Sequence, residues 1–182
     1  MRLTKNTVAP TFKAKDIYDK EFNLLTNRDK VLIVSFFRYA SCPLCNLRVH
    51  ELTQNYSKLK NKFDIVLIFQ SPTIKINKYV TKQDIPYVII PDPDKYLYNL
   101  YKVESSWIAF IKAWTTKISR IFDAVFKHNF IPGSIEGEIH KVPADFIIDT
   151  DNKILKAYYG KDIGDHLALS EIYTFIENYE TR

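Results

Sequence analysis

Glycine is nearly missing from this 182-residue chain. The four present are Gly133, Gly137, Gly160 and Gly164, and none precedes position 133. Loops that cradle phosphates need several glycines close together, so P-loops and dinucleotide-binding fingerprints are excluded. Long apolar runs are lacking too. The longest stretch free of Asp, Glu, Lys and Arg is Ile65–Ile74, against the roughly 18 apolar residues that a bilayer-spanning helix needs. The start, Met1-Arg2-Leu3-Thr4-Lys5-Asn6, has no apolar stretch of the signal-peptide kind, which predicts a cytoplasmic protein. Arginine is scarce, six against 20 lysines in a net charge of +5, and the basic residues never form a block of five. Such charge reads as solvated surface and not as a nucleic-acid groove, which leans on arginine forks beside aromatics.

What the chain does have is globular composition, 46% hydrophobic and 26% charged, and a length that predicts one domain over residues 1–182 with an insertion. It also has two cysteines three positions apart, Cys42 and Cys45. Random placement would give that spacing in about one per cent of cases, so the pair is a signal. A structural zinc site needs four nitrogen or sulfur ligands. Beyond the cysteines, only His50, His128, His140 and His166 could supply imidazole nitrogens, and they are scattered. A copper- or zinc-binding module using Cys42, Cys45 and a distant histidine is therefore the competing reading. The redox reading calls for no metal or prosthetic group.

Local context favours redox chemistry. Val31-Leu32-Ile33-Val34-Ser35-Phe36-Phe37 is a β-branched and aromatic run that predicts a buried strand. Arg38-Tyr39-Ala40-Ser41-Cys42-Pro43-Leu44-Cys45 follows. Ser41 or Cys42 can cap a helix, and Pro43 suits its first turn, where no N–H is needed. Leu44, Leu47, Leu52, Tyr56 and Leu59 continue at near-helical spacing. A cysteine at a helix N-terminus near Arg38 is held toward its thiolate, and thiolate is the attacking form. Cys42 is thus expected to be the exposed nucleophile, and Cys45, one turn inside, the resolving thiol.

Further along, Phe63–Phe69 predicts a second buried strand, Ile74–Lys82 a short helix, Tyr87–Ile90 a brief strand and Lys95–Tyr101 one or two helical turns. Phe146–Asp149 and Ile154–Tyr158 flank Thr150-Asp151-Asn152-Lys153, a hairpin signal. A last helix carries Leu169, Ile172, Phe175, Ile176 and Tyr179 on one face, with Asp165 or Ser170 as cap. The fold class read from this order, β-α-β-α-β-β-α, is α/β of the thioredoxin type, with a central mixed sheet.

Strand, Cys-x-x-Cys at a helix start, then Val142-Pro143-Ala144-Asp145-Phe146-Ile147-Ile148-Asp149 resembles the thioredoxin-like superfamily, and more narrowly its AhpC/TSA-type peroxiredoxin-like (redoxin) branch. Val8-Ala9-Pro10-Thr11-Phe12 through Phe22-Asn23-Leu24 resembles the N-terminal hairpin of that branch. The resemblance covers nearly the whole chain outside Glu104–Lys141. It implies antioxidant thiol chemistry at Cys42 and Cys45, a peroxide or disulfide substrate, and an external dithiol as reductant; Arg38 joins the catalytic set as the charge near Cys42. It further implies that Pro143 holds the position of a cis-proline facing the cysteines. From the residues alone Pro143 is either a cis or an ordinary strand-start proline. The implied substrate-facing residues are Pro143, Val142, Tyr39, Gly160 and His166. For the last two the alternative is a plain turn shaped by Gly160 and Gly164, with Asp165 capping the helix. The chain departs from the peroxiredoxin pattern, with Ser35 at its proline position, Tyr39 at its Thr/Ser position and Pro143 where its catalytic arginine falls. The residues look more like those of a disulfide oxidoreductase.

The insertion, Glu104 to Lys141, carries Ile108, Ile111, Trp114, Ile118, Ile121, Phe122, Val125 and Phe126 at helical spacing. It reads as a helix packed on its own domain, a partner surface, a homodimer contact or a lid on the cysteines. A basic amphipathic helix can also lie on a membrane surface, although a membrane is not the expected partner.

Overall fold

A computed structural model of the chain describes residues 1–26 and 28–180. The side chains of residues 114–116 and 179–180 lie outside that description, and with them the contacts expected of Trp114 and Tyr179. A short hairpin, β1 (Lys13–Lys15) and β2 (Glu21–Asn23), precedes the main sheet. Then come β3 (Val31–Phe36), α1 (Pro43–Gln54), α2 (Tyr56–Leu59), β4 (Phe63–Phe69), α3 (Thr73–Tyr79), β5 (Val88–Pro91) and α4 (Tyr96–Leu100). The insertion forms α5 (Trp107–Thr116), α6 (Ile118–Phe122) and a π-helical turn at Asp123–Lys127. β6 (Ala144–Ile148), β7 (Ile154–Tyr159) and α7 (Leu169–Glu180) complete the chain.

The five-stranded sheet has the order β5-β4-β3-β6-β7. β3 runs parallel to β4, and β4 to β5, while β6 lies antiparallel to both β3 and β7. The central strand β3 is buried along its whole length, which is why its sequence is continuously apolar and not alternating. Val31, Ile33 and Phe37 face a core built with α1, α3 and α7, whereas Leu32, Val34 and Phe36 face one built with α4 and the N-terminal segment. The mixed thioredoxin-type sheet read from the sequence is the one observed. The expected hairpin is β6–β7, its turn closed by Asn152 at φ 63°, a left-handed conformation that asparagine tolerates.

The N-terminal segment reaches both edges of this sheet. Beside β7, Asn6 N–H donates to Ile154 O at 2.8 Å, Ile154 N–H to Thr7 O at 2.9 Å and Ala9 N–H to Asn152 O at 2.9 Å. The segment then crosses one face, burying Ala9 and Phe12, and Ile17 N–H donates to Ile89 O of β5 at 3.0 Å.

Two local expectations change. α7 starts at Leu169, so Ser170 lies inside it and Asp165 lies in the loop before it, accepting from Tyr158 Oη and Lys161 N–H at 2.8 Å each. Among the described residues no peptide bond is cis, so Val142–Pro143 is trans. Trans is the favoured isomer even before proline, and in this arrangement Val142 N–H reaches Glu104 O at 3.1 Å while Pro143 O accepts from Gly160 N–H at 2.9 Å.

The insertion packs inward through Ala109, Ala113 and Ala124, all buried, and an Arg120–Glu51 ion pair of 2.6 Å ties it to α1. Its outer face leaves Trp107, Ile108, Ile111, Ile118, Phe122 and Phe126 exposed. Among the described residues no helix is long and apolar enough to cross a membrane.

Candidate active site

The chain leaving β3 is pinned by side chains reaching its backbone. Tyr98 Oη donates to Phe37 O, at 2.7 Å, or to Ile68 O, at 3.0 Å, and thus bridges the ends of β3 and β4. Ser71 Oγ accepts from Ala40 N–H at 2.8 Å, and the Asn46 amide donates to Ala40 O at 2.7 Å and Cys42 O at 3.1 Å. Cys42 is the N-cap of α1 with extended backbone, φ −69° and ψ 120°, and Pro43 occupies the first turn. Proline fits there because that N–H has no partner inside the helix. Both cysteines are free thiols.

Cys42 is not exposed, contrary to expectation. Its relative exposure is 0% and that of Cys45 is 2%. The return of the insertion is bonded to both flanks of the pair's loop: Ser134 O accepts from Ser41 Oγ and Ile139 O from Arg38, and Ile139 packs against the core cluster that holds both cysteines. Arg38 is itself buried. One guanidinium nitrogen is 3.4 Å from Cys42 Sγ and the other donates to Ile139 O at 2.5 Å.

Electrostatics separates the two thiols. Burial by itself would raise the Cys42 pKa. The Cys45 thiol donating to it, the Arg38 charge and the backbone N–H groups of Cys45 and Leu44 outweigh burial and lower it to about 6. Cys45 moves the other way, raised well above the ordinary thiol by burial and by its bond to Cys42. Burial likewise opposes the charge on Arg38, yet Cys42 and Cys45 hold its pKa above the ordinary value. The pair therefore carries one negative charge, on Cys42, with Cys45 as its proton donor. Tyr39 lies under the Arg38 guanidinium, 4.9 Å from ring centroid to Cζ, and burial beside Cys42 pushes its pKa up to about 12.

Arg38 and Tyr39 thus stand at the cysteines. Val142, Pro143 and Gly160 line a cleft with Arg2, Glu104 and Tyr159, at the end of β6 where Ala144 pairs with Phe36 of β3. Gly160 is required by close approach. An added Cβ would collide with Asp165 O and stand 3.0 Å from Pro143 O. Gly160→Ala is expected to cost about 1–3 kcal/mol of stability, read as a lowered urea midpoint with an unchanged slope.

His166 belongs to a third group. Its Nδ1 is 3.1 Å from both carboxylate oxygens of Asp145, and its ring packs on Phe37 with centroids 4.5 Å apart. Asp145, fully buried, also accepts from Ser35 Oγ at 2.6 Å and Leu167 N–H at 2.7 Å. Burial would raise this carboxyl, but His166, Arg48 and Ser35 hold it below the usual range. Sequence reasoning singled out His166 and passed over Asp145, although a lone acid in the run Val142–Ile148 was the available signal. His50 lies against His128, ring centroids 4.6 Å apart. Among the described residues no three His, Cys, Asp or Glu side chains are grouped to hold a metal, so the competing metal reading lacks a third ligand beside the cysteines.

Comparison with known proteins agrees with this architecture. The chain is similar to the peroxidoxin BcpB of Mycobacterium tuberculosis, at 14% identity over 87% of this chain and 86% of that one, with a TM-score of 0.63. It is similar to a yeast mitochondrial 1-Cys peroxiredoxin, at 14% identity over 98% and 77% of the two chains and a TM-score of 0.70. A putative thiol:disulfide interchange protein DsbE from Chlorobium tepidum shares 16% identity over 98% and 97%, with a TM-score of 0.63. At these identities the likeness is one of fold. No curated protein matches the chain in sequence. The AhpC/TSA family model, however, matches residues 6–157, from the segment along β7 through the cysteine pair and into β7 itself, and the chain belongs to that family.

Proposed function

We propose that this protein is a thiol–disulfide oxidoreductase in which Cys42 attacks and Cys45 resolves. The observation that supports it is the buried guanidinium of Arg38, 3.4 Å from Cys42 Sγ at the head of α1, with Cys45 one turn inside. In the first step Cys42 Sγ bonds to one sulfur of a substrate disulfide, the substrate S–S bond breaks, and the leaving thiolate takes a proton. Cys45 then loses its proton and attacks Cys42 Sγ. The mixed disulfide breaks and the second substrate thiol departs. The substrate gains two electrons, the Cys42–Cys45 disulfide forms, and an external dithiol reduces it again.

A peroxide is the second reading, favoured by family membership and by the same arginine, which can polarise an O–O bond. Cys42 would take the terminal oxygen as sulfenic acid, releasing water or an alcohol, and Cys45 would condense with it and expel water. Intact mass and thiol count after a stoichiometric pulse separate the two. If hydrogen peroxide converts wild type to the disulfide within seconds and Cys45→Ser gains one oxygen, the peroxide reading stands. If peroxide leaves the thiols reduced while a disulfide oxidises them rapidly, disulfide exchange stands. Inertness to both sinks the redox function.

A further inference from the structure

The segment bonded to Arg38 and Ser41, on either side of the loop that leads into Cys42, is held in an unusual way. Residues 129–136 have no regular structure, and the strap from Ser134 to Ile139 is gripped largely by its main chain. Ser41 Oγ donates to Ser134 O at 2.7 Å, and Arg38 donates to Ile139 O. Gln70 reads both backbone groups of one residue, its amide donating to Glu138 O at 2.8 Å and accepting from Glu138 N–H at 3.0 Å. A neighbouring strand would satisfy an extended peptide in the same way. The backbone passes so close that a Cβ on Gly137, at φ 73°, would stand 2.6 Å from Gln70 Oε1.

The strap's side chains add charge, and one apolar contact, Ile139, which is partly buried against the core cluster that holds the cysteines. Glu136 lies 3.5 Å from Lys75 Nζ and accepts from Ser71 Oγ at 3.1 Å. Glu138 meets Lys95 at 2.6 Å and Lys141 at 3.2 Å, and accepts from Ser105 Oγ. Ile135 points outward and is 52% exposed. Apart from the anchors at Arg38, Ser41 and Gln70, which are buried, these are partly exposed polar contacts with irregular backbone between them, which places the strap toward the low-stability end of the fold.

We propose that the groove formed by Arg38, Ser41 and Gln70, flanked by Lys75 and Lys95, is a docking site for an extended acidic polypeptide segment of a partner protein, and that residues 134–139 occupy it as an internal stand-in. The groove selects main chain through the three side chains that read carbonyls, and acidic residues two apart through the lysines. Docking rests on the redox reading only for its purpose, which is to present a partner's disulfide to Cys42.

The test uses the full-length protein and a capped synthetic peptide, Ser-Ile-Glu-Gly-Glu-Ile-His. Alkylation of Cys42 by iodoacetamide is followed by mass spectrometry, so the readout is access to sulfur and requires no turnover. Gly137→Ala, which opens the strap, is expected to speed alkylation about tenfold. Millimolar peptide should return it toward the wild-type rate, and a peptide with both glutamates changed to lysine should not. A double variant, Glu136→Gln with Glu138→Gln, is expected to behave likewise and replaces Gly137→Ala if circular dichroism shows that variant to be unfolded. An unchanged rate in the opened protein, or opened protein indifferent to the acidic peptide, overturns the proposal. Docking that persists in a protein inert to peroxide and disulfides would overturn only the redox reading.

Discussion

Replacing Arg38 with methionine is expected to slow alkylation of Cys42 at pH 7 by about tenfold or more, because the thiolate fraction collapses. In the wild type the Cys42 pKa of about 6 leaves most of this thiol ionised at pH 7. Burial works against that ionisation and is the largest influence on it. Methionine keeps much of the buried volume and removes the charge, leaving burial opposed only by the Cys45 thiol and two backbone N–H groups. The variant also frees Ile139 O and so loosens the strap, which would speed alkylation. The decisive measurement is therefore the midpoint of the pH–rate profile. Wild type should show a midpoint near 6, the variant one at or above the ordinary thiol value of about 8.5. An unmoved midpoint would remove Arg38 from the catalytic set. The same depression fixes a sign for stability. A group whose pKa is lower folded than unfolded stabilises the fold fully above the unfolded value, about 8.5. That contribution is lost as pH falls through the folded value of about 6.

Asp145→Ala should cost about 3–5 kcal/mol, the range for removing one member of a buried charged network. The carboxylate satisfies Ser35 Oγ, Leu167 N–H and His166 Nδ1 at once, and it faces the Arg48 charge. Alanine leaves all of them buried without their acceptor. Asp145→Asn keeps an acceptor for Leu167 N–H and should cost less. Urea unfolding of the three proteins at pH 7 gives the order, and equal midpoints for wild type and Asp145→Ala would refute it. Because the Asp145 pKa is depressed in the fold, its contribution is complete above the unfolded value of about 3.9 and disappears as pH falls through the lower folded value. Wild type should accordingly lose more stability on acidification below pH 4 than Asp145→Ala does.

The sheet was legible because its signals are local. Val31–Phe37 and Phe63–Phe69 are too apolar to lie anywhere but between two layers, and Thr150–Lys153 interrupts two strands at hairpin spacing. Cys42 and Pro43 at a helix start could be placed for the same reason, as could Arg38, four residues before the thiol. Burial of Cys42 could not, and neither could the carbonyls of Ser134 and Ile139, which arrive some ninety residues later through irregular backbone to meet Ser41 and Arg38. A main-chain carbonyl has no signature in sequence. The Asp145 network is an intermediate case. The acid was visible in an apolar strand, but Ser35, Arg48 and His166 become its partners only when β6 pairs with β3 and the loop before α7 folds back. The Val142–Pro143 bond shows the limit of resemblance, which implied a cis isomer where the bond is trans.

The N-terminal segment has a consequence for solubility. A sheet's outermost strands offer unpaired backbone groups that other chains can extend. In this protein one stretch of chain seals part of each margin, residues 6–9 beside β7 and Ile17 beside β5, before the β1–β2 hairpin closes. A proteolytic nick that released this stretch would expose two sticky borders together, along with the apolar floor under Ala9 and Phe12. The clipped protein would be expected to polymerise edge to edge, since each molecule would then present a free margin at both ends. By this account the opening residues act as a guard against fibrous self-assembly, a task separate from any chemistry at the thiols.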